Sequence, residues 1–319
     1  MRFRRAAAIV SLSLLFAGIH ARGDEPLPIF DAHLHYSDHS WASVSPKAVL
    51  ELLNQAGVTG ALVSSTPDDG TLMLYQADPV RVVPELRPYR SQADMMAWYR
   101  DDEVLAYIEN RMERNVYRGI GEFHLADASQ VDTPQMKRVV EIAVERNILL
   151  HVHSGAAPVS ALFAINPKVK ILWAHAGFSA PPAVVGELLD RYAQLWTEVS
   201  YRAEDIAPSG DLDPAWQALL LRHADRFMIG TRHVDGVALA IVCWSHSAAP
   251  RVAAPTSTRC RRKDRASQRC SSFRPIVWLT RRVITWVRHV VRNRFVLNLR
   301  QLDLRLVGKE KHLELLHLS

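Results

Sequence analysis

Eight short apolar runs, separated mostly by one stretch of helical period each, mark βα units around a parallel sheet. Their number is that of a (β/α)8 barrel, and histidines recur at the C-terminal ends of the runs, where that fold gathers its chemistry. With 319 residues, 48% of them hydrophobic, the chain can bury a core of that size. The sequence therefore predicts an α/β fold, a TIM barrel over residues 28–231.

The elements follow in order. The run IFDAHLHY at 29–36 sets His33 and His35 two apart, so that both share a face of the strand. SPKAVLELLNQAG comes next, with Ser45 as cap and Pro46 at the first helical position. The runs at 58–65 and 81–89 are the second and third strands, the latter leading into Arg87 and Arg90. A helical stretch, MMAWYRDDEVLAYIENRMER, precedes the fourth strand at 117–124, which carries Glu122 and His124. TPQMKRVVEIAVERN repeats the cap and proline at Thr133 and Pro134. The fifth strand, 148–155, bears His151 and His153, and the sixth, 170–178, bears His175. PPAVVGELLDRY, the seventh strand at 194–202 ending in Ser200, Tyr201 and Arg202, then PAWQALLLRHAD and the eighth strand at 226–231 complete the count.

Two imidazoles on one strand face begin a metal site, and His153, brought to the same mouth by barrel closure, adds a third ligand. His175 supplies a fourth nitrogen. A lone strand-end histidine is ordinarily a hydrogen-bonded polar group, but recurrence at the right place in the fold argues for a metal. His151 shares a face with His153 and could lie deeper as a structural residue. Glu122 could bridge two metals, orient water or pair with Arg118. Arg87 and Arg90 could clamp a substrate carboxylate or be solvated. Tyr201 and Arg202 are weaker substrate-side candidates, and Trp173 is expected to pack between strand and helix.

FDAHLHY, GIGEFHL, HVHSG and ILWAHAGF, in this order and at barrel-like intervals, resemble the amidohydrolase superfamily, specifically its amidohydrolase-related (amidohydrolase-2) metal-dependent hydrolases. The resemblance covers residues 28–231. It implies a TIM barrel in which His33, His35 and His153 hold a divalent metal, usually zinc, while His175 orients or polarises the substrate. Related enzymes place a metal-bridging glutamate at the position of Glu122. The implied activity is hydrolysis of a small amide, ester or lactone through metal-activated water, with metal-dependent decarboxylation or an inactive binding protein as alternatives. No glycine-rich phosphate loop, CxxC pair or serine elbow supports another class.

The resemblance breaks after Thr231. The superfamily's eighth strand ends in an aspartate that completes the metal shell and serves as general base, in a form such as Gly-Thr-Asp-Thr-Trp; this chain reads FMIGTRHVDG, with Arg232 in that place. If 231–235 is written ACN CGA CAC GTG GAY, removing one C restores Thr-Asp-Thr-Trp, so a one-base insertion accounts for the break. It also accounts for a change of composition: residues 232–319 hold 18 of the 39 basic and 5 of the 33 acidic residues, and all three cysteines, Cys243, Cys260 and Cys270, lie there. The competing reading is a genuine basic extension, amphipathic enough to lie on an anionic membrane. Impaired activity is expected from the lost aspartate.

At the other end, MRFRR, a short apolar stretch and a small residue near Ala21 have the order of a secretory signal peptide over residues 1–21, which predicts a secreted or periplasmic protein. The apolar stretch is shorter than the ~20 residues that span a bilayer. The expected partner is a small molecule, with no transmembrane anchor after cleavage and no specific nucleic acid.

Overall fold

The computed structural model describes residues 28–233 apart from 209. The expected signal segment, the cysteines and the tail beyond 233 lie outside the described residues, as does the shifted-frame question.

Parallel strands β1 (Ile29–His35), β2 (Val58–Val63), β3 (Val82–Leu86), β4 (Gly119–Leu125), β5 (Leu149–Ser154), β6 (Lys170–Trp173), β7 (Leu195–Glu198) and β8 (Phe227–Met228) pair in sequence order. The short β9 (Arg232–His233) continues β8 and pairs with β1, Leu34 opposite Arg232 and His35 opposite His233. A bridge between Asp31 and Ile229 and the hydrogen bond from Ala32 N to Ile229 O (2.8 Å) join the eighth strand to the first. This is the (β/α)8 TIM barrel expected from the strand count.

The helices are α1 (Asp38–Trp41), α2 (Pro46–Gln55), α3 (Asp69–Ala77), α4 (Asp102–Met112), α5 (Pro134–Glu145), α6 (Ala156–Ile165), α7 (Pro182–Arg191), α8 (Ala203–Ile206) and α9 (Pro214–Arg222). Ser45 and Thr133 cap α2 and α5 as expected, accepting from Ala48 N at 3.3 Å and Met136 N at 3.1 Å. The long helical stretch before β4 is instead broken. Two 3-10 turns, Gln92–Met96 and Trp98–Arg100, precede α4, because Asp101 caps the amides of Glu103 and Val104 and restarts the helix there.

Two layers of core position the site. Phe30, Ala32, Leu62, Val83, Leu149, Leu172, Trp196 and Met228, all buried and drawn from seven strands, fill the barrel interior. A larger cluster around Ile120, Val152, Ile171 and Trp173 packs strands against helices. Trp173 is fully buried there, as its sequence context predicts. Because the floor of the barrel is buried and apolar, the polar strand ends above it face a closed apolar base.

Candidate metal centre

Strand alternation alone would put Phe30, Ala32, Leu34 and Tyr36 on one face. The structure shows an irregular register between Asp31 and Leu34. Phe30 and Ala32 join the interior cluster, whereas Leu34 packs outward with Ile29. His33 and His35 thereby enter the barrel above that floor, both almost wholly buried. The strand change is pinned by Asp31, whose carboxylate accepts from His33 N (3.0 Å), from Thr231 N (3.0 Å) and from the Thr231 hydroxyl. Burial pushes the pKa of Asp31 up to about 6 against these hydrogen bonds.

Glu122 is the meeting point. Its Oε2 lies 3.1 Å from His35 Nε2 and 3.5 Å from His33 Nε2, and its Oε1 lies 2.8 Å from His153 Nδ1 and 3.4 Å from His175 Nε2. The four histidines singled out from the sequence thus converge on one fully buried carboxylate. Arg87 grips it as well, through Nε to the backbone carbonyl of Glu122 at 3.0 Å and through its terminal nitrogen to Oε2 at 3.1 Å.

The imidazoles share a pattern of support. Nδ1 of His35 points at the Ser64 carbonyl (2.6 Å), that of His33 at Glu198 Oε1 (3.0 Å), that of His151 at Glu85 Oε2 (3.0 Å) and that of His175 at Ser200 Oγ (2.8 Å) and the Ser200 carbonyl (3.2 Å). A carbonyl only accepts, so His35 and His175 carry their proton on Nδ1, and in the neutral ring Nε2 is a lone pair. Nε2 of His33 and Nε2 of His35 face each other at 3.0 Å. Nε2 of His151 and of His175 has no hydrogen-bond partner among the described residues. Inward nitrogens backed by carboxylate or carbonyl acceptors are the arrangement that holds metal-ligating histidines. Three trios present ligand atoms within 4.8 Å of one another: His33, Glu122 and His175; His33, His151 and Glu198; and Glu122, His124 and His153. The donor set therefore fits a divalent ion with mixed nitrogen and oxygen preference.

Electrostatics agree. Burial opposes the charge on His33, but Glu122 and Glu198 outweigh it and push its pKa up to about 10. His35 goes the other way, held well below its ordinary value by burial and by the Arg87 guanidinium. Glu122 and Glu198 stay well below the usual carboxylate range despite burial, chiefly through His33. The two carboxylates thus favour positive charge between them, in keeping with the raised pKa of His33.

The remaining expected residues are placed as follows. Arg90 lies apart from the cluster, bound to Asp94, Asp101 and Glu103. Tyr201 is 56% exposed, its ring edge-on to His175 at 5.6 Å. Arg118 does not define Glu122; Arg87 does. His124 stacks on His153 at 4.4 Å and bonds Tyr89 through Nδ1. Sequence reasoning passed over Glu198, Glu85 and Asp31. The available signal was an acidic residue inside an apolar strand, since a buried carboxylate needs a partner.

No family model matches the chain, and neither does any curated protein. Among solved structures, the chain is similar to a candidate 2-pyrone-4,6-dicarboxylic acid hydrolase from Pseudomonas putida at 19% identity and a TM-score of 0.44, covering 65% of this chain and 82% of that one. It is similar to a candidate amidohydrolase from Staphylococcus aureus at 10% identity and 0.44, covering 65% and 88%. A 2,6-dihydroxybenzoate decarboxylase stands at 10% identity and 0.43, covering 71% and 94%.

Proposed function

We propose that the chain is a metal-dependent hydrolase of the amidohydrolase superfamily, acting on a small amide, ester or lactone. One observation carries this reading: His33, His35, His153 and His175, from four strands, meet at the buried carboxylate of Glu122. Those residues would hold a divalent ion, with zinc favoured by three or more imidazoles. Bound there, it supplies Lewis acidity toward a carbonyl and a lowered pKa for water.

The chain's own groups do the rest. Ser200 and Glu198 fix the tautomer and orientation of the His175 ring, which leaves Nε2 directed into the cluster. Arg87 keeps Glu122 in place and His33 favours its ionised form, a state that suits a ligand more than a proton carrier. Tyr201, exposed beside His175, is the proposed substrate contact, whereas the guanidinium of Arg90 is taken up by Asp94, Asp101 and Glu103. The proton-carrying carboxylate of the superfamily would stand at 232, whose backbone lies opposite Leu34, between His33 and His35. With arginine there, turnover is expected to be slow. Residues 1–21 support export to the periplasm or beyond.

The test is elemental analysis of the purified full chain with hydrolysis of a panel of lactones and amides. About one or more zinc equivalents per chain, and faster hydrolysis in Arg232→Asp carrying the tail of the shifted frame, are expected. A chain that takes up no divalent ion would falsify the proposal, and carbon dioxide as product would replace hydrolysis with decarboxylation.

A further inference from the structure

His175 sits in an unusual stretch of backbone. It has φ 54° and ψ 27°, Ala176 follows at φ 45° and ψ 45°, and Phe178 has φ 57°. Three non-glycine residues out of four at positive φ, two of them in the left-handed region, is a costly conformation that persists only where the surroundings over-determine it. Gly177, at φ 75°, is the one residue suited to it, and a side chain there would strike the Trp173 ring.

What over-determines the turn is Arg202. Its guanidinium is 3% exposed and donates to three carbonyls of this segment: His175 O at 3.1 Å, Ala176 O at 2.9 Å and Ala180 O at 2.8 Å. Its Nε is anchored on Asp205 at 2.8 Å, and the Trp216 ring backs it at 4.8 Å. The amide side of the turn is held separately, by His175 N donating to Glu198 Oε1 at 2.6 Å. Ser200, on the same short segment as Arg202, binds the ring nitrogen.

We propose that Arg202 is a positioning residue for His175, clamping the left-handed turn so that the imidazole keeps Nε2 directed into the cluster. The role of His175 rests on the metal-centre reading; the clamp itself does not. Only a planar fork with five donors reaches three diverging carbonyls and a carboxylate together, so lysine is not an equivalent. Arg202 touches none of the inward-facing side chains of the cluster, and it acts through the backbone carbonyls of His175, Ala176 and Ala180.

The experiment compares full-length wild type, R202M, R202K, H175A and R202M/H175A, labelled with 15N-histidine and free of metal. The His175 ring signals, assigned by their loss in H175A, are expected to shift or broaden in R202M and, less so, in R202K, while those of His33 and His35 stay in place. Titration with Co(II) alone is expected to show about tenfold weaker binding in R202M than in wild type, and under twofold further loss when the same change is made in H175A. Unchanged His175 signals, equal movement of all the site histidines, or the same loss of affinity in both backgrounds overturns the proposal. If R202M does not fold, R202K decides by the same criteria. A wild type that binds no Co(II) removes the metal reading while the imidazole spectra still decide the clamp.

Discussion

Glu122 is a single carboxylate surrounded by four imidazoles and a guanidinium, so its charge and its oxygens have separable effects. Glu122→Gln keeps the size and removes the charge. His33 then loses one of the two carboxylates that keep it protonated, and zinc affinity is expected to fall at least about tenfold; competition with a chromophoric chelator measures this, and unchanged affinity would place the ion elsewhere. The two histidines of the fifth strand divide in the same way. His153 contacts Glu122 directly, whereas His151 is fully buried with Glu85 as its partner. His153→Ala is expected to lose metal with little change in folding. His151→Phe is expected to retain metal and to lose about 1–3 kcal/mol of stability, because Glu85 is left buried and unpaired; chemical denaturation separates the two outcomes.

At the scale of elements, the first strand does the most. Its irregular register between Asp31 and Leu34 lets one strand contribute both to the apolar floor and to the ligand layer. The latch between Asp31 and Thr231 ties that strand to the eighth. Thr231→Val removes one donor to a buried carboxyl whose pKa is already raised to about 6. The expected cost is about 1–3 kcal/mol, read as a lower unfolding temperature at pH 7, with a smaller loss at pH 5 where the carboxyl is largely protonated. The same loss at both values would show that Asp31 does not titrate in this range. Helix starts at Ser45 and Thr133 were legible because cap and proline are local signals. The break before α4 was less so, since apolar period continues through Met95 to Tyr99 and only the side chain of Asp101 shows where the helix restarts.

For the whole molecule, the linked charges set a pH dependence. His33 is raised from 6.5 to about 10, so its contribution is fully present below pH 6.5 and is lost as pH rises through 10. Glu122 and Glu198 are depressed, so theirs is present above about 4.5 and is lost as pH falls. Metal-free protein should therefore unfold at its highest temperature between these limits and at progressively lower temperatures from pH 7 to 10. His33→Gln should flatten that alkaline limb, and a limb that persists in the variant would assign it to another group. Among the described residues no helix is long and apolar enough to cross a membrane.

The barrel and the histidine set can be read from the linear chain. Strand count, helix caps and HxH spacing are local or periodic, and the fold places strand ends together whatever lies between them. It took the folded barrel to show that Glu122 is the common partner, that Glu198 and Glu85 stand behind His33 and His151, that Arg87 turns to Glu122 while Arg90 turns away, and that Arg202 binds the carbonyls of the His175 turn. Each of these is a contact between strands or loops distant in sequence. Which side chain answers a buried charge depends on register and burial, and a linear pattern does not carry that information.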